Sequence, residues 1–140
     1  MVEQTDGSGS TFREKPLQPV VLLLCADLMF AVQLQSIARK AGYKPVTVRP
    51  ESDFGDGDAL VVDLSQRGSW EDAIRQARQR GIHVIAFGPH KDVEARRRAK
   101  SAGANRLLAN SNLERDLPAI LRSLRQAESA ITPGEDSNTG

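Results

Sequence analysis

The residues that could do chemistry stand directly after short apolar runs of the chain. Asp63 follows the run Ala59-Leu60-Val61-Val62, and Cys25-Ala26-Asp27 follows the run Val20-Val21-Leu22-Leu23-Leu24. Carboxylate oxygens are the ligands that a hard cation such as Mg²⁺ prefers. A cysteine is a nucleophile only where a basic neighbourhood lowers its pKa, and no such neighbourhood surrounds Cys25 in the sequence. The pattern therefore points to carboxylate chemistry around Asp63 and Asp27, with Cys25 as a buried, inert thiol.

Several other sites lack their motifs in this chain. No Gly-x-Gly-x-x-Gly or Gly-Lys-Ser/Thr loop follows the first apolar run. Cys25 is the single cysteine, which excludes an internal disulfide and a cysteine-based zinc site. The two histidines, His83 and His90, have no carboxylate in register that would complete a metal site. The motifs therefore predict neither a cofactor nor a metal.

Length and composition bound the class of protein. A chain of 140 residues, 39% of them hydrophobic, is typical of one globular domain. The longest apolar stretch, Val20 to Ala26, is far shorter than the ~18 residues of a membrane span, and no apolar leader follows Met1. A net charge of +1, with one Trp, one Tyr and four Phe, argues against general nucleic-acid binding. We expect a cytoplasmic protein that binds neither membranes nor nucleic acid.

Composition also divides the chain into a folded centre and two tails. Residues 1–18 contain Gly-Ser-Gly-Ser, and residues 128–140 contain Pro-Gly-Glu-Asp-Ser-Asn-Thr-Gly. Neither segment buries enough apolar surface to offset the entropy of ordering. We predict disordered tails at 1–18 and 128–140, one folded domain at 19–127, and no second domain after Gln126.

Apolar runs alternate with helical patterns inside the folded part. The strand candidates are Val20–Leu24, Pro45–Val48, Ala59–Val62, His83–Phe87 and, more weakly, Arg106–Ala109. Runs that are apolar at nearly every position indicate strands buried on both faces, as in a parallel sheet covered by helices. Right-handed crossovers make this an open doubly wound α/β fold, in which ligands gather at the carboxyl ends of the strands.

The first helix, the last helix and the second crossover carry more specific expectations. In the first helix, from Asp27 to Ala41, five apolar residues lie near one stripe that we expect to face the core: Leu28, Val32, Leu34, Ile37 and Ala38. Pro118 fits only a first helical turn, so the last regular helix is predicted to begin near Leu117. The ten residues Arg49 to Asp58 are too few for an ordinary parallel crossover, so the second crossover helix is missing or reduced to a turn.

The order of elements resembles the receiver domain of two-component response regulators, from about Val20 to Leu124. The residues that carry the resemblance are Val21-Leu22-Leu23-Leu24-Cys25-Ala26-Asp27, Ala38-Arg39-Lys40-Ala41-Gly42-Tyr43, Asp58-Ala59-Leu60-Val61-Val62-Asp63-Leu64 and Ser101-Ala102-Gly103-Ala104. The resemblance implies a flavodoxin-like, five-stranded parallel sheet of order 2-1-3-4-5. It also places Asp63 on the family's phosphoacceptor aspartate.

The chain departs from the family at the residues around that aspartate. The family holds Mg²⁺ with two adjacent acidic residues, and the matching positions are Cys25 and Ala26, with only Asp27 acidic beside them. Its switch Ser or Thr corresponds to Gly88, and its Lys-Pro pair corresponds to Asn110 and Ser111. Phosphoryl transfer depends on neutralising charge at the transferred oxygens. The chain therefore resembles a degenerate member, a pseudo-receiver.

The resemblance implies a non-enzymatic signalling domain that acts through protein–protein contacts, without Mg-dependent phosphorylation and without a cofactor. One alternative is a single-domain response regulator that a histidine kinase phosphorylates on Asp63. In that case Asp27 would supply a Mg²⁺ ligand, and Arg106 or Arg49 would replace the missing Lys. Another alternative is a flavodoxin-like domain that binds a small molecule near Cys25, Asp63 and Gly88.

A basic segment offers a candidate partner-binding surface. From Lys91 to Arg106 the chain has six basic residues against two acidic ones. Receivers commonly contact partners or a second copy through the face made by the fourth helix, fifth strand and fifth helix. That face corresponds here to Asp92–Ala102, Arg106–Ala109 and Leu117–Arg125. The resemblance thus places a contact surface for a protein partner, or for a homodimer, on Arg96, Arg97, Lys100 and Arg106.

Overall fold

The computed structural model describes residues 18–49, 55–66 and 68–129. Five strands alternate with four helices along these residues. The strands are β1 (Val20–Leu24), β2 (Lys44–Thr47), β3 (Ala59–Asp63), β4 (His83–Gly88) and β5 (Arg106–Ala109). The helices are α1 (Leu28–Lys40), α2 (Trp70–Gln79), α3 (Val93–Ala102) and α4 (Leu113–Ser129).

The predicted fold is confirmed. The sheet has the order β2-β1-β3-β4-β5, and every neighbouring pair is parallel. This is the flavodoxin-like order 2-1-3-4-5 inferred from the sequence. β1 and β3 are the two strands whose ends carry Cys25 and Asp63, and they are direct neighbours in register, with Leu24 opposite Val62.

Each strand contributes to two separate hydrophobic cores because successive side chains point to opposite faces of the sheet. Val21 and Leu23 pack with α1 and α4 on one face, whereas Leu22 and Leu24 pack with α2 and α3 on the other. Tyr43 closes the first core, and its hydroxyl donates a 2.8 Å hydrogen bond to the Leu121 carbonyl. Burial on both faces explains why the strand sequences lack an apolar–polar alternation.

The connection from β2 to β3 contains no helix among its described residues; residues 50–54 lie outside them. Its last part crosses the sheet face as irregular backbone. A Cβ on Gly57 would lie 2.9 Å from Leu22 Cγ, so the main chain itself covers this fully buried leucine. The absence of a side chain at Gly57 lets a short segment cover the core where an ordinary crossover would place a helix.

The predicted core stripe of α1 was wrong in its first half. Leu34, Ile37 and Ala38 are buried as expected, but Leu28 and Val32 are 81% and 67% exposed. At 100° per residue these two lie on the opposite side of the helix from Leu34, so one helix cannot bury both sets against the same sheet. Phe30, which contacts Phe87 at 5.4 Å between ring centroids, occupies the core side instead.

The last helix begins earlier than predicted. A 3₁₀ turn, Asn110–Asn112, leads directly into α4 at Leu113, and Pro118 lies in the second turn. Pro118 removes a single backbone donor, a cost that the fully buried Leu113 and Leu117 on the same face of the helix offset. α4 continues to Ser129 through good helix formers, two residues past the predicted domain end. Most of the two predicted tails lies outside the described residues.

Ser69 precedes α2 without a side-chain cap, whereas Asp92 caps α3 by accepting a hydrogen bond from the Ala95 N–H.

Within the described residues, no helix combines the length and the hydrophobicity that crossing a membrane requires.

The role of Gly57 is testable with a matched pair of glycines. We expect Gly57→Ala to lower the free energy of unfolding by about 1–3 kcal/mol, because the new methyl group is forced against Leu22 in a filled core. Gly55→Ala is the control: nothing lies within 4 Å of its Cβ, so a change within about 1 kcal/mol is expected. Urea unfolding measures both, and equal effects would contradict the covering role of Gly57.

Candidate functional site at the carboxyl edge of the sheet

Adjacent strands bring two predicted site residues into contact. Asp63 is the last residue of β3, and Cys25 follows β1 immediately. The Cys25 thiol donates a hydrogen bond to Asp63 Oδ2, with 3.6 Å between Sγ and Oδ2. Asp63 is 2% exposed and is the one charged residue among the buried, described positions. The candidate site is therefore a buried carboxylate with a thiol beside it.

Neutral donors satisfy the Asp63 carboxylate. Its Oδ1 accepts hydrogen bonds from the Ser65 backbone N–H at 2.9 Å and from the Ser65 hydroxyl at 2.7 Å. Together with the Cys25 thiol these make three hydrogen bonds, none from a cation among the described residues. A buried carboxylate is costly unless hydrogen-bonded. Ser65 and Cys25 thus hold Asp63 in place without a positive charge.

Gln66 is a structural part of the site that the sequence analysis missed. Its side-chain N–H group donates to the Leu24 carbonyl at 2.7 Å and to the Asp63 carbonyl at 2.9 Å. It thereby joins the end of β1 to the turn after β3. The spacing of Asp63 and Ser65 is the signature of an Asx turn and could have been found in the sequence. The contact of Gln66 with β1 could not have been found there, because it depends on the order of the strands.

The Cys25 thiol stays protonated. Burial raises its pKa from 9.0 to about 12, and the neighbouring Asp63 carboxylate contributes in the same direction. A hydrogen bond with the Asp27 backbone lowers the pKa of the thiol and opposes the rise only in part. Cys25 is therefore a hydrogen-bond donor at neutral pH rather than a nucleophile.

Asp27 serves as the N-cap of α1. Its Oδ1 accepts hydrogen bonds from the backbone N–H groups of Met29 at 2.9 Å and Phe30 at 3.1 Å. Such a cap is worth about 1 kcal/mol to a helix. The Asp27 side chain is thus exposed and engaged with the first turn of α1.

The residues at this edge do not fit a magnesium ion. Mg²⁺ requires hard oxygen ligands in near-octahedral geometry. Cys25 offers a protonated thiol, Ala26 offers no side-chain ligand, and Asp27 caps a helix. Among the residues that the structure describes, no group of three or more His, Cys, Asp or Glu side chains is arranged to hold a metal.

The two predicted switch positions lack the required chemistry and differ in their surroundings. Gly88 is buried, and a Cβ there would lie 3.3 Å from Leu64 Cβ, so Leu64 occupies the space beside it. Leu64 thus lies beside Gly88, one of the residues at which the small-molecule alternative places its ligand. Asn110 lies in the 3₁₀ turn, and its Oδ1 is buried without a hydrogen-bond partner within the described part of the chain.

The two arginines considered as replacements for a lysine lie at different ends of the sheet. Arg106 is the first residue of β5. It is close enough to His83, the first residue of β4, to help lower the pKa of that histidine, although burial is the larger cause. Arg49 lies two residues beyond β2, toward the carboxyl edge. The structure therefore places Arg106 toward the amino end, away from Asp63, which ends β3.

The basic residues of α3 differ in how far they are engaged within the domain. Arg97 pairs with Glu94 at 2.6 Å on the surface, and Arg96 donates a 3.3 Å hydrogen bond to the Leu108 carbonyl. Arg98 contacts α2, where it forms a 2.6 Å ion pair with Glu71 and lowers the pKa of that carboxyl group. Its guanidinium group also lies 5.0 Å from the centre of the Trp70 ring. Lys100 and Arg106 are exposed.

The architecture is shared with many solved receiver domains. The BeF3-activated receiver domain of DrrB superimposes with a TM-score of 0.68 and 15% identity, over 79% of this chain and 99% of that one. The chain has the receiver fold. A response regulator from Thermotoga maritima superimposes with a TM-score of 0.63 and 14% identity, over 79% of this chain and 99% of that one. A third match is the receiver domain of a Pseudomonas aeruginosa sensor histidine kinase, solved with magnesium in its active-site cleft. It superimposes with a TM-score of 0.64 and 21% identity, over 76% of this chain and 97% of that one.

No protein-family model matches the chain, and no curated protein sequence is significantly similar to it. At these identities the structural likeness establishes the fold. The chemistry of the edge has to be argued from its own residues.

The protonation state of Cys25 is directly measurable. We expect a thiol reagent such as DTNB to label folded protein at about pH 8 on the order of a hundredfold more slowly than protein unfolded in urea, since burial and the raised pKa both suppress the thiolate. Labelling of the folded protein at the unfolded rate would contradict the assignment of Cys25 as the donor to Asp63.

The misfit with magnesium is testable by thermal unfolding. We expect about 10 mM Mg²⁺ to leave the Tm of the protein unchanged, because a cation without a site does not stabilise the folded state. The double variant Cys25→Asp, Ala26→Asp places carboxylates beside Asp63. Like-charge repulsion should lower its Tm without metal, and Mg²⁺ should restore part of the loss. A clear rise of the wild-type Tm with Mg²⁺ would show that a site exists.

Proposed function

We propose that this chain is an atypical receiver-like signalling domain, a pseudo-receiver, which acts through protein–protein contacts without Mg-dependent phosphorylation of Asp63. The proposal includes a cytoplasmic location and no enzymatic activity. It rests on the receiver fold and on the replacement of charged by neutral groups around Asp63.

One observation carries the proposal: the Asp63 carboxylate is held by Ser65 and by the protonated thiol of Cys25. Phosphoryl transfer to a carboxylate requires an accessible oxygen and positive charge to neutralise the transferred group. Here the carboxylate is buried, its donors are neutral, and Asn110 and Gly88 supply neither a charge nor a hydroxyl group. Asp63 then stabilises the turn after β3 in place of accepting phosphate.

The candidate contact surface for an acidic protein partner comprises Arg96, Arg97, Lys100 and Arg106. Lys100 and Arg106 are exposed, and Arg97 pairs with Glu94 only on the surface, where such pairs contribute little to stability and exchange readily. Arg98 is excluded from this surface because it links α3 to α2 through Glu71.

A phosphorylated single-domain response regulator is the second candidate, supported by the carboxylate of Asp63 at the end of β3. The two functions differ in one covalent event. Incubation with acetyl phosphate and Mg²⁺, followed by intact mass measurement, is expected to show no phosphoryl adduct. Asp63→Asn controls for modification elsewhere, and a receiver with an intact acidic pair is the positive control. An adduct on the wild type that is missing from Asp63→Asn would establish the second candidate instead.

A further inference from the structure

Three exposed basic residues lie at the amino edge of the sheet, where the parallel strands begin, opposite the edge that carries Asp63. Arg78 is in the last turn of α2, Lys100 is in the last turn of α3, and Arg106 is the first residue of β5. Both helices lead back from the end of one strand to the start of the next parallel strand, so their last turns lie at the amino edge. Three different elements thus each place a cation at the same edge.

Contacts between these elements bring the three residues to one corner of the domain. A Cβ on Gly103 would lie 2.8 Å from Arg78 Cγ, so the Arg78 side chain packs on the connection between α3 and β5. Arg96 donates a hydrogen bond to the Leu108 carbonyl of β5. Lys100, one helical turn after Arg96, lies on the same side of α3 and faces β5 as well. The ends of α2 and α3 and the start of β5 therefore meet.

His83 lies beside this corner and responds to its charge. It precedes Ile85, the register partner of Arg106, by two residues, so His83 and Arg106 lie on the same face of neighbouring strands. Burial lowers the pKa of His83, and the charges of Arg106 and Arg78 lower it further. None of the described carboxylates acts on His83 in the opposite direction. The corner therefore carries positive charge that the described part of the chain does not neutralise.

Ion pairing distinguishes these cations from other arginines of the domain. Each of four arginines on the helices pairs with a carboxylate, in the pairs Arg75–Asp72, Arg97–Glu94, Arg98–Glu71 and Arg115–Asp116. No carboxylate within residues 18–49, 55–66 and 68–126 forms an ion pair with Arg78, Lys100 or Arg106. Their charges are available to a carboxylate of another molecule.

Two carboxylates near this edge are already engaged. The hydrogen bond from Arg115, at 2.9 Å, lowers the pKa of Asp116, and the charge of Arg106 adds a smaller effect. Asp58, directly before β3, accepts a 2.8 Å hydrogen bond from the Val20 N–H, on the side of β3 that faces β1. Neither carboxylate takes the place of a partner at the corner.

We propose that Arg78, Lys100 and Arg106 anchor the acidic protein partner by binding a run of consecutive aspartate or glutamate side chains. An arginine side chain can bind a carboxylate through two parallel hydrogen bonds. The proposal deepens the proposed function, on which it rests for the existence of such a partner. It adds Arg78 to the contact surface and centres that surface on the amino edge, because Arg96 and Arg97 already have partners within the domain.

The composition of the surface favours a peptide over a nucleic acid. Proteins that bind single-stranded nucleic acid stack bases on accessible aromatic rings. None of the described aromatic side chains is exposed, since Phe30 is half-buried and Tyr43, Trp70 and Phe87 are buried. The corner offers cations without a stacking platform, which suits carboxylates.

Affinity for a capped hexa-aspartate peptide tests the proposal on the full chain at about 50 mM salt, where screening is moderate. We expect Arg78→Gln and Arg106→Gln each to weaken binding at least about fivefold, because each removes one of the anchoring charges. Arg39→Gln is the matched control. Arg39 is also an exposed arginine in the last turn of a helix, but α1 packs beside β1 and β2, across the sheet from β5. Its variant should keep the wild-type affinity.

Circular dichroism verifies that the three variants fold. The absence of peptide binding, or equal weakening by all three substitutions, would overturn the proposal.

His83 reports whether the peptide lies at the corner itself. In an NMR titration, the peptide should raise the pKa of His83, because its carboxylates offset the charges of Arg106 and Arg78. His90 lies beyond the opposite end of β4 and is the internal reference, whose ring signals should not respond to the peptide. An unchanged His83, or equal responses of the two histidines, would contradict binding at this corner.

A short single-stranded DNA of the same charge separates the two classes of polyanion. We expect it to bind more weakly than the peptide, and tighter binding that Arg78→Gln and Arg106→Gln abolish would overturn the choice of an acidic protein. The acetyl phosphate result is independent. A phosphoryl adduct on Asp63 together with peptide binding would reject the pseudo-receiver and retain this surface, whereas neither adduct nor binding would reject this surface and retain the pseudo-receiver.

Discussion

The central sheet must bury both of its faces, and the rest of the structure depends on that constraint. Strands without a polar face need helices, or chain that replaces a helix, on each side. α1 and α4 cover one face and α2 and α3 the other, while the backbone around Gly57 covers Leu22. Because all five strands run in parallel, their carboxyl ends meet at one edge, and that edge is where Cys25 and Asp63 lie.

A carboxylate at such an edge needs either a cation or enough hydrogen-bond donors. This chain uses donors. Cys25, Ser65 and Gln66 form a connected set that joins the end of β1 to the turn after β3. A thiol at position 25 places a proton donor, rather than a second negative charge, beside Asp63. One residue type at position 25 therefore both offers no carboxylate ligand and stabilises Asp63.

The surface of the domain is divided between two kinds of contact. α3 and β5 present basic side chains that partly pair within the domain, as Arg97 with Glu94 and Arg98 with Glu71 do. α1 presents apolar side chains that pair with nothing described in the domain. Desolvating apolar side chains is favourable, whereas desolvating charges is costly unless the partner matches them. In our proposed function the first surface recognises an acidic protein.

The sequence by itself determined the fold class, the strand order through its resemblance to receivers, and the positions of Asp63, Cys25 and Gly88, because apolar runs and their end residues are local properties. Tertiary structure decided which donors reach Asp63, that Asp27 caps α1, and which side of α1 faces the core. Leu28 and Leu34 are equally apolar in the sequence. Phe30 packs on Phe87 and fixes the rotation of α1, which buries Leu34 and leaves Leu28 exposed. The rotation of a helix about its axis depends on its contacts with a distant strand. The apolar pattern along one helix carries no information about those contacts.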